Sequence, residues 1–215
     1  LDHHRQNNET IKNAVVSYVE PYASSTCEMV AEILQYIVDK PKLKNIEADA
    51  MYSGILVDTD NFVIKAGVRT FEAAAFLRRA GADVTRVRKM FREDMEHCRI
   101  RTAIINKAEI YMNEFAISTF DGANVSGATV VGAKAANALL NIQGIRGSFV
   151  LTSLQDCIYI SARSIDELNV QVIMEKFNGG GHLTMAAAQL KDVTLEEAKQ
   201  QLEDVLQQMR EDGDI

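Results

Sequence analysis

Apolar residues recur with the period of an α-helix through most of the first eighty residues, and a capping signal marks the start of the first helix. In "EPYASSTCEMVAEILQYIVDKPK", residues 20–42, Ser25 and Glu28 have the S-x-x-E spacing of a capping box. Pro41 is expected to close this helix, because its ring cannot continue a helical backbone. The pattern therefore predicts a capped helix in this stretch.

Two more helices are predicted in the same half of the chain. The stretch 45–62 carries apolar residues on helical spacing and is expected to end near Asp58. The stretch 69–83 has Thr70 as its expected N-cap and Gly81 as its C-terminal stop. Hydroxyl side chains cap helix starts, and glycine tolerates the left-handed angles that end a helix.

The segment 84–112 is helical in pattern, strongly charged and almost free of helix breakers. At 1.5 Å per residue, one helix of this length would span about 40 Å, which is longer than most globular helices. The same pattern also fits two helices placed end to end. We predict that the segment connects two domains.

Strand-like and helix-like stretches alternate after residue 112. Strands are predicted at 115–121 and on both sides of a tight turn at Gln155 and Asp156, and the glycine run at 178–182 is expected to precede a helix. Helices are predicted at 127–142, 165–177, 183–190 and 194–209. This alternation predicts an α/β or α+β second half, after a first half that is mostly helical.

The composition is typical of a soluble globular protein, with 47% apolar and 25% charged residues among 215. No apolar run reaches the roughly 18–20 residues of a bilayer span, and the opening residues show no signal peptide. The net charge of −7 argues against a general binder of long nucleic acid, but it allows a small anionic ligand at a locally positive site. Cys27, Cys98 and Cys157 lack CxxC spacing, which favours a reducing compartment and small buried side chains.

The chain opens with "LDHHRQNNET", in which Asp2, His3 and His4 are candidates for chemistry. One interpretation is the remnant of a purification tag or a solvated histidine pair. The other is a metal site in which His3 and Asp58 bind a divalent ion. Imidazole with carboxylate suits Mn²⁺ better than Mg²⁺, and His4 could then donate to a phosphate oxygen.

Asp58 also has two interpretations. A carboxylate at a helix C-terminus is unfavourable, because the helix dipole places partial negative charge there. A bound metal ion would offset that cost. Alternatively, Asp58 and Asp60 simply form the turn after the helix.

Two stretches of the second half could bind phosphate. The glycines of "NGGGH" expose backbone N–H groups and, with a helix behind them, would form an anion site, although a flexible turn explains the same run. "ISARS" places Ser161, Arg163 and Ser164 at a strand end, where arginine is a natural bidentate partner of phosphate or merely a surface residue. "RTF" and "ASST" are explained as helix starts.

Taken together, five motifs resemble the DHH phosphoesterase superfamily with its DHH-associated C-terminal domain. They are "DHH" at 2–4, "EPYASST" at 20–26, "GILVDT" at 54–59, "RTF" at 69–71 and "NGGGHLTMAAAQL" at 178–190. Within it, the chain is most similar to the membrane-bound cyclic di-AMP phosphodiesterases of Gram-positive bacteria. The resemblance implies three parts: the C-terminal part of an α/β catalytic domain at 1–83, a connecting helix at 84–112, and an α/β substrate-binding domain at 113–215.

The resemblance also implies roles for individual residues. His3 and Asp58 would bind manganese, Asp2 would orient the metal-binding histidine, and His4 would touch the scissile phosphate. The opposite end of the substrate would be held by Ser161, Arg163, Gly180, Gly181 and His182.

The implied reaction is hydrolysis of cyclic di-AMP to linear pApA at a site with two Mn²⁺ ions. Alternatives are a nanoRNA exonuclease or adenosine-bisphosphate phosphatase of the same superfamily, or a nucleotide-binding module without catalysis. The other metal ligands of the family lie upstream of its DHH motif, so we expect a C-terminal fragment that is inactive alone. The parent would be anchored at the cytoplasmic face of a membrane through segments absent here. The fragment itself would make no membrane contact, and a homodimer through the associated domain fits the resemblance.

Overall fold

The computed structural model describes residues 1–4, 11, 13–37, 42–165 and 168–215, which form two compact units, Leu1–Arg92 and Glu93–Ile215. The first unit is mainly helical and the second contains a six-stranded sheet, so the predicted α/β class is confirmed. Pro41, the predicted end of the first helix, lies outside the described residues. In the described part of the chain, no helix is long and apolar enough to cross a membrane.

The first unit contains four of the described helices. They are α1 (Thr26–Ile37), α2 (Asn45–Asp58), α3 (Val68–Arg79) and α4 (Val84–Met90). Their shared core contains Ala31, Ala48, Ile55 and Leu77, all fully buried. Near the start of the chain, one isolated parallel bridge joins Asp2 to Val19. The three predicted helices of this half are therefore present, and α2 ends at Asp58 as expected.

The predicted capping box of α1 is half correct. The Ser25 hydroxyl accepts a hydrogen bond from the backbone N–H of Glu28 at 3.0 Å, as a helix cap does. The Glu28 carboxylate, however, accepts from the hydroxyl of Ser24 at 2.5 Å. Ser25 therefore makes one of the two capping hydrogen bonds and Ser24 makes the other. Both side chains cap the start of α1.

The predicted N-cap of α3 was wrong by three residues. Gly67 occupies the cap position, and the Thr70 hydroxyl accepts from the Gly67 backbone N–H at 3.1 Å. At the other end, Gly81 has φ +113°, a conformation that side chains disfavour, which confirms it as the stop signal.

The single connecting helix expected over 84–112 is not formed. Helix α4 ends at Met90, and α5 (Met95–Asn106) starts after Asp94, whose carboxylate accepts from the His97 backbone N–H at 2.8 Å. Strand β1 (Glu109–Tyr111) follows directly. The Asp94 cap interrupts the helical pattern without any proline or glycine, so the segment contains two helices, as in the alternative interpretation of its pattern.

The second unit contains the sheet and four helices among its described residues. After α5 and β1 come β2 (Phe115–Asp121), α6 (Ala128–Leu139), β3 (Gly147–Leu154), β4 (Cys157–Ser164), α7 (Val170–Glu175), β5 (Gly180–His182), β6 (Met185–Lys191) and α8 (Leu195–Glu211). The strand order is β1-β2-β3-β4-β6-β5. Only the β2–β3 pair is parallel, and the other neighbours are antiparallel.

The two faces of this sheet are covered unequally. On one face, Leu151 and Ile160 pack in the same core as Leu202 of α8, together with residues of α7. On the other face, Val150 packs in a core with residues of α5 and α6. Towards β6 the second face is open, because Gln189 and its neighbours on that face are exposed. We call this part of the surface, over β6 and β5 and the adjoining side of β4, the open face.

The helix predicted at 183–190 is strand β6, so no helix follows the glycine run. Burial along β6 alternates: Ala186 and Ala188 are buried, whereas Ala187 and Gln189 are exposed. Alanine favours helices intrinsically, but pairing with β4 and β5 and burial of alternate residues decide this segment. The predicted anion site at a helix N-terminus behind the glycines is therefore wrong.

A buried ion pair in the first unit gives a prediction about acid stability. The Asp49 carboxylate is buried and accepts from Arg86 Nε at 2.6 Å and from the Asp83 backbone N–H at 2.7 Å. The Arg86 bond, followed by the Asp83 bond, lowers the pKa of Asp49 below its ordinary 3.8. Its contribution is therefore complete above about pH 4 and is lost as pH falls through the lowered pKa.

We expect Asp49→Asn to lose less thermal stability than the unmodified chain when pH is lowered from 6 to about 2. The melting midpoint of each variant, followed by circular dichroism at both pH values, measures this difference. Asp60→Asn, in the exposed turn after α2, is the control and should behave like the unmodified chain. An Asp49→Asn loss as steep as that of the unmodified chain would contradict the prediction.

Candidate functional site

The structure brings the two predicted metal ligands of the first unit together. His3 Nε2 lies 3.6 Å from Asp58 Oδ2, with side chains 13% and 38% exposed. Asp58 is the last residue of α2, so the helix end fixes the position of its carboxylate. A mostly buried imidazole beside a partly solvated carboxylate can bind a divalent ion. Their role as manganese ligands stays a prediction.

Asp2 was expected to orient the metal-binding histidine, His3, but in the described part of the chain its carboxylate contacts His4. Its Oδ1 accepts from the backbone N–H of His4 at 3.1 Å and lies 2.8 Å from the ring Nδ1 of His4. The backbone bond, followed by the side-chain bond, lowers the pKa of Asp2, so the carboxylate is charged at neutral pH. Asp2 thereby orients His4, while the His3 and His4 rings lie 4.4 Å apart between centroids.

Cys27 is the neighbour of this group that the sequence did not single out as functional. Burial, and then the negative charge of Asp58, raise the pKa of the Cys27 thiol. A thiol with a raised pKa is protonated at neutral pH and is a poor metal ligand. A side chain at Gly54 would collide with the Cys27 sulfur, so glycine in "GILVDT" permits the close approach of α1 and α2.

Arg69 of "RTF" forms an ion pair with Glu32. Its Nε and Nη2 donate to the two carboxylate oxygens of Glu32 at 2.7 and 2.8 Å. These bonds raise the pKa of Arg69 above its already high ordinary value. The capping serines confirm that "ASST" is a helix start, and "RTF" lies in the first turn of α3, although Thr70 is not its N-cap.

The predicted substrate-binding residues of the second unit share the open face. Ser161 of β4 pairs with Ala187 of β6, which pairs with Gly180 of β5. One step along, Arg163 is in register with Met185, which pairs with His182. Paired residues in a sheet point to the same side, so the sheet brings Ser161, Arg163, Gly180 and His182 onto one surface.

Arg163 is held in place by α6. Its Nε donates to Asn137 Oδ1 at 2.6 Å, and its Nη1 donates to the backbone oxygen of Ala162 at 2.9 Å. Two bonds to a planar guanidinium fix its orientation as well as its position. Asn137 was missed because nothing in the sequence shows that α6 passes beside β4.

The two serines of "ISARS" differ in role. The Ser164 hydroxyl donates to the backbone oxygen of Leu168 at 2.7 Å, so its role is to stabilise the backbone that follows β4. Ser161 is 8% exposed and lines a cavity of about 420 Å³ on the open face. Within the described residues its hydroxyl has no hydrogen-bond partner, so it can bond to a ligand.

The cavity beside Ser161 lies within the second unit. Its lining combines small residues with uncharged polar side chains: Thr129, Tyr159, Ile160, Ser161, Asn178, Gly179, Gly180, Ala187, Ala188 and Gln189. A volume of this size is typical of small-molecule sites. Gly181 is not among the residues that line the cavity. Its φ is +153°, and a Cβ at this position would lie 2.5 Å from Ala186 Cα. Gly181 is thus needed by the backbone itself.

Two family models match the chain. The DHH family N-terminal domain matches residues 1–55, and the DHHA1 domain matches residues 115–211. The DHHA1 match covers all but the first strand of the sheet, and therefore the whole open face. The DHH match contains Asp2, His3 and His4 but ends before Asp58.

Curated relatives are similar along nearly the whole chain. The cyclic-di-AMP phosphodiesterase PdeA of Listeria monocytogenes is 47% identical over 94% of this chain and 31% of its own length. The cyclic-di-AMP phosphodiesterase GdpP of Bacillus subtilis is 39% identical over 99% of this chain and 33% of its own. The chain thus spans about a third of these relatives.

A solved structure shares the fold at lower identity. An exopolyphosphatase-related protein from Bacteroides fragilis superimposes with a TM-score of 0.82 at 20% identity. The match covers 94% of this chain and 62% of that protein. At this identity the likeness extends to the fold alone.

Proposed function

The chain carries a DHH domain followed by a DHHA1 domain and belongs to the DHH family, and from this premise we propose that it takes part in the hydrolysis of cyclic di-AMP to linear pApA. The observation that carries the proposal is identity of 39–47% to proteins named cyclic-di-AMP phosphodiesterases, across nearly the whole chain. The geometry adds support, because the candidate residues form one polar group in each unit.

Manganese is the ion that we propose for the first unit. Two ligands about 2.1 Å from one ion are about 3.0–4.2 Å apart at angles between 90° and 180°. The 3.6 Å between His3 Nε2 and Asp58 Oδ2 lies within that range, so the pair fits a shared divalent ion. When bound, Mn²⁺ would activate water and neutralise charge on the phosphodiester.

The remaining residues of this group would orient the phosphate. Asp2 fixes the ring of His4 through its Nδ1, and its lowered pKa keeps the carboxylate charged. We propose that His4, oriented in this way, donates to an oxygen of the scissile phosphate.

We propose that the second unit also contributes to binding the dinucleotide. Arg163, oriented by Asn137, offers a charged fork suited to a phosphate, and Ser161 offers a neutral hydroxyl. His182 stands in register on the next strands. The homodimer and the position at the cytoplasmic face of a membrane stay predictions.

Calorimetric titration of the chain with cyclic di-AMP and with pApA, with and without Mn²⁺, tests this function. We expect both to bind without metal, because the second unit supplies the contacts. Rapid release of AMP from pApA, together with slow turnover of the cyclic compound, would instead favour a nanoRNA exonuclease. Absence of binding under every condition would contradict the proposal.

His3→Ala and Asp58→Asn are each expected to weaken Mn²⁺ binding about tenfold, since losing one ligand of a weak site costs on the order of 1.4 kcal/mol. The electron paramagnetic resonance signal of free Mn²⁺ measures the affinity. Asp60→Asn is the matched control.

We also propose that the chain alone hydrolyses only traces of cyclic di-AMP, because the two candidate ligands, His3 and Asp58, cannot complete a dinuclear site. Robust turnover by the purified chain would overturn that.

A further inference from the structure

We propose that the cavity of the open face is an adenine pocket in which the Gln189 amide reads the base. This inference rests on the proposed function and assigns to one end of the binding surface a task that neither the motifs nor the relatives assign. The phosphate end is at Arg163 and His182, and the base end is at Tyr159 and Gln189.

The register of the sheet separates the two ends by a suitable length. Tyr159 pairs with Gln189 directly, and Arg163 lies four residues further along β4 on the same face. Four residues of strand span about 13 Å, roughly the length of one extended nucleotide. Between the two ends, Ser161 and Ala187 form the middle of the surface.

The charge of the surface changes along this length. No residue that lines the cavity carries a charge, and its polar groups are hydroxyls and amides. Arg163 and His182 lie at the opposite end, and the exposed Lys191 lies outside the cavity, two residues beyond Gln189 on β6. A phosphate is favoured beside the guanidinium, and an uncharged heterocycle is favoured in the neutral cavity.

The floor of the cavity is flat because its residues are small. A Cβ built on Gly180 meets no atom within 4 Å, so this position leaves space above the sheet. Ala187, its partner on β6, is exposed and adds only a methyl group. A planar base can therefore lie close to the strands, with Tyr159 at one side.

The amides select adenine over guanine. Within the described residues, the side chains of Gln189 and Asn178 make no hydrogen bond, and both line the cavity. An amide offers a donor beside an acceptor, which matches the N7 and N6 groups of adenine. The same edge of guanine presents two acceptors, N7 and O6, and its O6 would face the amide oxygen.

Titration of the chain with pApA and with pGpG tests the pocket in three variants. The unmodified chain should bind pApA at least tenfold more tightly than pGpG. Gln189→Ala should lose about tenfold in affinity for pApA and little for pGpG, so that the preference disappears. Gln189→Glu keeps the side-chain size but removes the donor, and it should lose pApA affinity to a similar extent. Gln207→Ala, at an exposed position of α8, is the matched control and should change neither affinity.

The outcomes separate the pocket from the function on which it rests. If both dinucleotides bind and the preference for pApA survives in Gln189→Ala, the pocket is wrong and the proposed function stands. Equal binding of pApA and pGpG by the unmodified chain would also overturn the pocket. If neither dinucleotide binds, the substrate-binding role of the second unit fails, and the pocket fails with it.

Discussion

Replacing Arg163 by alanine is expected to weaken the binding of pApA about a hundredfold. A charge-assisted bidentate contact to phosphate contributes on the order of 3 kcal/mol, which corresponds to that factor. Asn137 and the Ala162 carbonyl already hold the guanidinium, so little side-chain freedom has to be lost on binding. Titration calorimetry of the two chains measures the change.

Two further variants distinguish geometry from charge in this prediction. Arg163→Lys keeps the charge but loses the fork and the bond from Nε to Asn137, so an intermediate loss of about tenfold is expected. Arg99→Ala removes an exposed arginine of α5 and should leave affinity unchanged. Equal losses in Arg163→Ala and Arg99→Ala would mean that only the general field of the protein matters. If neither variant loses affinity for pApA, Arg163 does not contribute to binding.

Local signals in the sequence predicted most of the fold. Helix α2 was placed correctly because its apolar spacing continues up to Asp58, and the two-residue turn at Gln155 is confirmed by φ +55°. Strand β2 and helix α6 were predicted for the same reason: each has one strong period and clear ends. In these elements propensity, pattern and capping agree.

The failures occurred where long-range contacts or the detailed local backbone decide. "MAAAQL" forms a strand because β4 and β5 pair with it, although alanine alone favours a helix. The pairing of Asp2 with His4 depends on the local backbone, and the contact between Asn137 and Arg163 joins residues 26 positions apart. Neither contact has a signal in residue spacing.

The candidate site was predicted in part for a related reason. Motif order placed His3 with Asp58 and Ser161 with Gly180, and the structure brings each pair together. The cavity residues were not predicted, because Gln189 becomes a ligand-facing side chain only when β6 is recognised as a strand. Burial alternates along "MAAAQLK" in the structure, but the sequence does not show this alternation, because three consecutive residues are alanine.

Gly181→Ala is expected to destabilise the second unit strongly, whereas Gly180→Ala should leave its stability unchanged. At Gly181 the backbone has φ +153°, and a Cβ would lie 2.5 Å from Ala186 Cα and collide with the Met185 backbone oxygen. Strain and overlap together cost about 3 kcal/mol or more, which lowers the melting midpoint by roughly 10 °C. Scanning calorimetry measures both variants.

Gly180→Ala, which should not affect stability, is expected to weaken the binding of pApA. A Cβ at Gly180 meets nothing in the protein but projects over the open face beside Ala187, where we propose that the base lies. Gly180→Ala should therefore fold normally and bind pApA at least tenfold more weakly, because the added methyl group occupies ligand space. Gly180→Ala that binds as well as the unmodified chain would mean that the ligand does not approach β5. Gly181→Ala with an unchanged midpoint would show that the hairpin can rearrange, and the backbone explanation of that glycine would then be wrong.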